Sequence, residues 1–285
     1  MHYPSWLIRL IRSISGAFTN LIVIGWVCFT LFILLWVLMT PFKTNRELFT
    51  SVWSLPSSPT LDNFLSAWSA SHMGDYFLNT VIVALGATVG IVIVSTPASY
   101  VFSRIEFPGR DLLLNFFLSG MGVPGALLFI PLFLLLNSLH QSDTLQGLIT
   151  VYVAFNLPFT IYLLTGFFAT LPTELEESAI VDGASDWQVF YKIMLPLARP
   201  GIYTASIFNL VWCWKEFFWA LVILVSGETR TLPLGLAALQ ASMIYSANWG
   251  ALFAAVVIVM VPTLLLYIFA SRRMIAGITM GAVKG

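Results

Sequence analysis

Lys215 and Glu216 stand side by side inside the apolar run CWKEFFWALV, with Asn209, Trp212 and Trp214 just before them and Asn156 in an earlier run. If those runs cross a bilayer, each charge costs about 2.5–3.5 kcal/mol on insertion scales, which marks the pair as a functional-site candidate. Amides bond hydroxyls and flat aromatic faces stack on pyranose rings, so Asn156, Asn209, Trp212 and Trp214 could line a path for a hydroxyl-rich solute. Consecutive helical residues point about 100° apart, so Lys215 and Glu216 need not pair with each other. The alternative is that these charges face a watery cavity or a partner interface without touching solute. For the amides and indoles, helix packing or an interface role is the alternative.

The second cluster is acidic. Residues 172–201, PTELEESAIVDGASDWQVFYKIMLPLARPG, carry Glu174, Glu176, Glu177, Asp182 and Asp186 between two long apolar runs. Thr173 with Glu176, and Ser185 with Gln188, have the spacing of capping boxes. Acids in the first turn of a helix suit its dipole. Gly183 is placed to end the first helix in a left-handed conformation, and Pro196 and Pro200 close the unit. The pattern predicts two short helices meeting at a glycine. Ala179, Ile180, Val181, Trp187, Phe190, Tyr191 and Ile193 could pack onto the inner ends of the spans, while Ala179 with Gly183 also forms a small surface suited to close approach by another protein.

Enzymatic and metal chemistry find little support. His2, His72 and His140 are scattered, and neither H-E-x-x-H nor G-x-S-x-G occurs. No G-x4-G-K-[ST] loop is present, so any ATPase must be another chain. Cys28 and Cys213 fall in apolar runs, which argues against a disulfide framework. No catalytic, cofactor-binding or metal-ligating set is expected.

The elements that must hold these residues are membrane spans. The chain is 59% hydrophobic and 9% charged, far from the quarter charged of a soluble domain. Runs of roughly 20 apolar residues give six spans at about 20–40, 78–102, 112–137, 146–168, 202–225 and 249–271. The third, with Gly120, Gly122, Pro124, Gly125 and Pro131, is expected to be kinked and buried in a bundle. With the N-terminus inside, Arg9, Arg12, Arg104, Arg110, Lys192, Arg199, Arg272, Arg273 and Lys284 are inner, against Lys43, Arg46 and Arg230 outside. That satisfies the positive-inside rule and puts both termini and residues 172–201 in the cytoplasm. Residues 1–19 lack a small-residue cleavage pattern and read as an interfacial segment before a permease domain of residues 20–285, whose tail is residues 272–285. The stretch SPTLDNFLSAW within the outer segment 41–77 reads as a short surface helix.

Glu177, Ala179, Gly183, Ile193, Leu195 and Pro196 meet the spacing E-A-A-x3-G-x9-I-x-L-P, with Ser178 as a small-for-small departure. This pattern resembles the coupling loop of permease subunits in ATP-binding cassette (ABC) importers. The stretches SYVFSRIEFPGRD (99–111), IPLFLLLNSL (130–139), LPFTIYLLTGFFATLP (157–172), WKEFFWALV (214–222), TLPLGLAAL (231–239) and GAVKG (281–285) resemble the carbohydrate-importer branch, in its shorter six-span type. The resemblance covers residue 60 to the end.

The resemblance implies an all-α polytopic membrane protein of the type I importer fold, with a cytoplasmic helix–turn–helix. It implies half of a sugar pore made with a homologous permease, in a bacterial or archaeal inner membrane. Two copies of an ATPase would bind ATP and Mg and receive the loop. The coupling residues would be Glu176, Glu177, Ser178, Ala179, Asp182, Gly183, Ala184, Ile193, Leu195 and Pro196, with Glu177, Ala179 and Gly183 the first candidates to enter the ATPase cleft. A solute-binding protein would dock outside, on segments near 41–77, 137–146 and 226–248. Nucleic acid has no place in this reading. The alternatives are an importer permease for an amino acid, peptide or anion, a self-sufficient carrier or channel, and an intramembrane enzyme.

Overall fold

The computed structural model describes residues 5–282, and all the elements among them are helical. In chain order these are α1 (Ser5–Met39), α2 (Asn45–Thr50), α3 (Asp62–Leu65), α4 (Met73–Arg104), α5 (Arg110–Ser119), α6 (Gly125–Ser138) and α7 (Leu145–Ala169). There follow α8 (Glu174–Val181), α9 (Asp186–Val189), α10 (Leu195–Leu197), α11 (Arg199–Lys215), α12 (Phe218–Ile223), α13 (Leu232–Ser246) and α14 (Trp249–Ala282). The chain divides into two compact units, Met1–Ser71 with Gln240–Ile258, and His72–Leu239 with Val259–Gly285.

Among the described residues, four helices are long and apolar enough to cross a membrane: Gly16–Phe42, Met73–Arg104, Leu145–Ala169 and Trp249–Phe269. The expected third span is a helix pair, Arg110–Gly122 and Gly125–Ser138, bent by 102°. The bend falls at Val123–Pro124, where proline's missing N–H and the restriction it imposes on Val123 stop α5 from running on. The pair is kinked as expected but not buried within this chain, since Leu136 is its one buried residue among those described. The expected fifth span is also broken, at Glu216–Phe217, into α11 and α12. At the N-terminus, the described part of the expected interfacial segment, residues 5–19, is continuous with the first span in α1. The expected tail is helical to Ala282; residues 1–4 and 283–285 lie outside the described residues.

In the smaller unit, the Lys43 ammonium is 1% exposed and donates to the carbonyls of Ser51 (3.0 Å) and Val52 (2.8 Å), beyond the end of α2. Asn63, on the short helix expected around residue 62, ties the carbonyls of Pro41 and Lys43 at 2.7 Å each. A capping box, Thr44 with Glu47, starts α2. Hydrogen bonds from Ser57 and Thr44 hold the exposed Glu47 carboxyl at about 2.

In the larger unit, α4, α7 and α11 form the core. Gly86 and Gly90 let α4 lie against α7, because a Cβ there would come within 3.0 Å of Ile149 Cδ1 and 2.9 Å of Val153 Cγ2. Such small-xxx-small faces let helix backbones approach where lipid supplies no hydrophobic drive. Across the opposite seam, Asn209 donates to Thr160 Oγ1 at 3.0 Å and joins α11 to α7. Gly90→Leu should therefore destabilise the purified protein by about 1–3 kcal/mol through overpacking. Gly166→Ala, where a Cβ meets nothing within 4 Å, should leave the melting temperature unchanged. Equal melting temperatures for wild type and Gly90→Leu would refute the close-packing argument.

Candidate functional site

Helices α8 and α9 form the expected elbow, and their connection is a Schellman turn. Ala184 N–H donates to Ala179 O at 2.9 Å and Gly183 N–H to Ile180 O at 3.0 Å, with Gly183 at φ +82°. That pairing satisfies the last carbonyls of α8, and the left-handed residue it requires strains any side chain but glycine's. At the start of α9, Gln188 accepts from the Ser185 N–H at 2.9 Å, as the second capping box requires.

The first capping box does not form. Thr173 itself has helical backbone angles and its side chain caps nothing. Glu176 instead turns toward Arg104, whose Nε lies 3.5 Å from Oε1. The Arg104 side chain is only 7% exposed. Its guanidinium donates to Phe168 O at 2.6 Å and to Leu171 O, so it covers carbonyls at the end of α7 and draws in a counter-charge. Burial pushes the Glu176 carboxyl above its ordinary range, against the pull of Arg104.

The elbow's inner face is apolar. Val189, Phe190, Met194 and Ala198 are buried with Tyr100 of α4 and with Leu164, Phe167 and Phe168 of α7. Ala179, Ala184, Ile193 and Leu195 pack on that cluster, and Pro196 is half-buried. Ala179 thus faces the protein's own core. Glu177, Ser178, Asp182 and Gly183 are exposed. So is a row of large side chains: Val181 at 86%, Trp187 at 73% and Tyr191 at 67%, with Leu175 and Ile180 beside them. Of the two readings the sequence leaves open for Ala179, packing onto the spans or close approach by another protein, its position on the buried cluster is the first. With Ala179 inward, Val181, about 200° further round, must point away.

The second candidate group divides. Asn156 donates to Tyr152 O at 2.8 Å, and Asn209 bonds Thr160 Oγ1 and Ala205 O. Both amides are buried in the helix seams. Trp214 is buried, edge-on to Phe77. Trp212, Lys215 and Glu216 instead line one cavity of about 540 Å³, with Phe129, Phe155 and Trp219. Glu216 is buried and accepts from Tyr152 Oη at 2.5 Å, Trp219 N–H at 2.8 Å and Ala220 N–H at 3.2 Å. Its carboxylate therefore satisfies the free amides that open α12, which is how the helix can break here inside an apolar run. Among the described residues, no group of three or more His, Cys, Asp or Glu could hold a metal.

At the N-terminal end of α7, Asp143 forms a latch that sequence reasoning missed. Its Oδ1 accepts from Val225 N–H (2.9 Å), Ser226 N–H (3.0 Å) and Thr229 Oγ1 (2.8 Å). Desolvation works against its charge, but the hydrogen bonds from Ser226, Thr229 and Val225 outweigh it and hold the carboxyl below its usual range. A lone aspartate in QSDTLQG carries no signal for a partner more than 80 residues away.

Several known proteins are similar to this chain in sequence. The diacetylchitobiose uptake system permease protein NgcG of Streptomyces coelicolor is 38% identical, over 94% of this chain and 89% of its own length. The trehalose transport system permease protein SugB of Mycobacterium tuberculosis is 33% identical, over 81% and 84%. The sulfoquinovosyl glycerol transport system permease protein SmoH of Agrobacterium fabrum is 32% identical, over 90% and 89%. In the crystal structure of a bacterial ABC transporter that imports the acidic polysaccharide alginate, one chain superposes with a TM-score of 0.78 at 20% identity, covering 95% of this chain and 99% of that one. That likeness establishes the type I binding-protein-dependent permease fold. The model of the family described as "Binding-protein-dependent transport system inner membrane component" matches residues 95–275, from the middle of α4 through the elbow into α14. The chain belongs to that family of integral inner-membrane transport components.

Proposed function

We propose that this chain is one of two homologous permeases forming the pore of an ATP-driven sugar importer. Its relatives named for diacetylchitobiose, trehalose and sulfoquinovosyl glycerol favour a sugar over an amino acid, peptide or inorganic anion. The observation that carries the coupling role is the elbow's two-sidedness. Its inner face is fixed to α4, α7 and α11, while its outer face presents Val181, Trp187 and Tyr191 to solvent. Large aromatic side chains clustered on a rigid exposed surface are the usual anchors of a protein interface.

Each half of the pore would seat its elbow in one of two cytoplasmic ATPase subunits, which bind ATP and Mg. If the bent α5–α6 pair and the broken α11–α12 pair each make one crossing, the crossings are six and both termini share one side, which the distribution of Lys and Arg favours as the cytoplasm together with the elbow. ATP-driven closure of the ATPases would move the elbows and rock the helices between inward- and outward-facing states. On the outer side, the segment that Asp143 latches, residues 225–229, would help seat the solute-binding protein. The chain itself would not be an enzyme.

Co-purification tests the reading. A tagged chain should bring down an ATPase and a second permease, and isolation alone in mild detergent would refute it. Val181→Asp and Trp187→Ala should each weaken ATPase capture about tenfold or more, as interface anchors do. Their melting temperatures should stay near wild type, because both side chains are exposed. Full capture in both variants would exclude this face as the docking surface. Gly183→Asp should cost about 1–2 kcal/mol, the penalty for a left-handed non-glycine residue, and uncouple ATP hydrolysis from uptake. Unchanged uptake per ATP would rule out a geometric role for the elbow.

A further inference from the structure

The cavity bounded by α6, α7 and the α11–α12 break holds a charge that the fold leaves unanswered. Its walls are ring faces. Trp212 lies 16° from parallel to Phe155, with centroids 6.3 Å apart, and Trp219 meets Phe129 edge-on at 4.8 Å. At about 540 Å³ it falls within the roughly 300–1,000 Å³ of small-molecule sites.

Two ionisable side chains reach this cavity, and the fold treats them oppositely. Glu216 is consumed by Tyr152 and by the amides of Trp219 and Ala220. Lys215 is exposed, and among the described residues its ammonium has no carboxylate or carbonyl partner. An unpaired ammonium among aromatic walls at membrane depth is costly to keep, and an anion brought to it there is bound more strongly than in water. Depth can be read from helix rise. Lys215 lies about 24 Å along α11 from Arg199, and Phe155 about 15 Å along α7 from Leu145. Lys215 is the last residue of α11, remote from the elbow, and Phe155 stands just on the remote side of the middle of α7.

We propose that this cavity is a subsite for a sugar bearing an anionic substituent, whether carboxylate, sulfate, sulfonate or phosphate. The sugar ring lies against Trp212 and Phe155, and the anion pairs with Lys215. The inference rests on the permease reading and deepens it: the subsite lies in the outer half of the path. The competing occupant is a carboxylate of the second permease. A protein carboxylate needs only a contact, however, whereas Lys215 stands beside a volume walled mainly by flat rings, whose one carboxylate, Glu216, is already engaged by Tyr152 and the amides of Trp219 and Ala220.

The test uses the complete transporter, co-expressed and placed in nanodiscs without its solute-binding protein. Disaccharides containing glucuronate or galacturonate are titrated against their neutral glucose and galactose counterparts, with tryptophan fluorescence as the readout. The acidic sugar should bind about tenfold more tightly than the neutral one, the worth of one charge-assisted hydrogen bond. Lys215→Gln should remove that preference by weakening the acidic sugar alone, Lys215→Arg should keep it, and Trp212→Phe should abolish most of the fluorescence change. Equal affinities in the wild type, no response to either sugar, or a preference that survives Lys215→Gln would overturn the subsite. So would Lys215→Gln separating the two permeases on size exclusion, because Lys215 would then be an interface residue. Assemblies that hydrolyse ATP yet show no preference would refute the subsite alone; assemblies without an ATPase would refute the permease reading beneath it.

Discussion

The buried guanidinium of Arg104 is the contact on which the rest of the arrangement depends. It ends α4, covers carbonyls at the end of α7 and reaches Glu176 in α8. A buried charge of this kind is tolerated only where hydrogen bonds and a counter-ion replace its water. At the end of α7, Phe168 O accepts from Leu171 N–H as well as from Arg104, and Leu171 O, just past the helix, takes its donor from Arg104. The charge and these carbonyls answer each other. The cluster of Tyr100, Phe168, Phe190 and Met194 excludes water from the same junction. The elbow is thereby an extension of α4 and α7 rather than a loop hung from them.

Glu216 plays the corresponding part near the far end of α7 and α11. It is a buried carboxylate that answers backbone donors, where Arg104 is a buried cation that answers backbone acceptors. The helices are further joined by the close approach at Gly86 and Gly90 and by the Asn209–Thr160 bond. Both ionic residues serve irregular backbone inside an apolar protein, where an unsatisfied amide or carbonyl costs several kcal/mol.

What could be read from the sequence was whatever depends on local spacing. The two short helices, the glycine between them and the Ser185–Gln188 box are i-to-i+3 relations, and they stand as expected. The Thr173–Glu176 box has the same spacing yet fails, because Arg104, distant in sequence, competes for the same carboxylate. The inward turn of Ala179 and the burial of Asn156 and Asn209 are likewise decided by neighbours that no local pattern names. The six apolar runs were legible as composition, whereas the breaks at Val123–Pro124 and Glu216–Phe217 differ in origin. The first is written in a proline. The second depends on a carboxylate finding Tyr152 as well as two amides.

These joints bear on how motion at the elbow would reach the cavity. Phe155 and Trp212 belong to α7 and α11, which are tied to the elbow through Arg104 and the buried cluster. Phe129 belongs to α6, which buries only Leu136 among its described residues and follows a 102° bend. One wall of the cavity is therefore fixed to the elbow and the other is attached far more loosely. Close-packed interfaces shift as units rather than deform continuously, so a displaced elbow carries Trp212 and Lys215 with it while α6 need not follow. Under the proposed reading, the same displacement that changes which side the pore faces would also change the separation of Trp212 from Phe129. Access and affinity at this site would then be set by one rigid body moving against one bent helix.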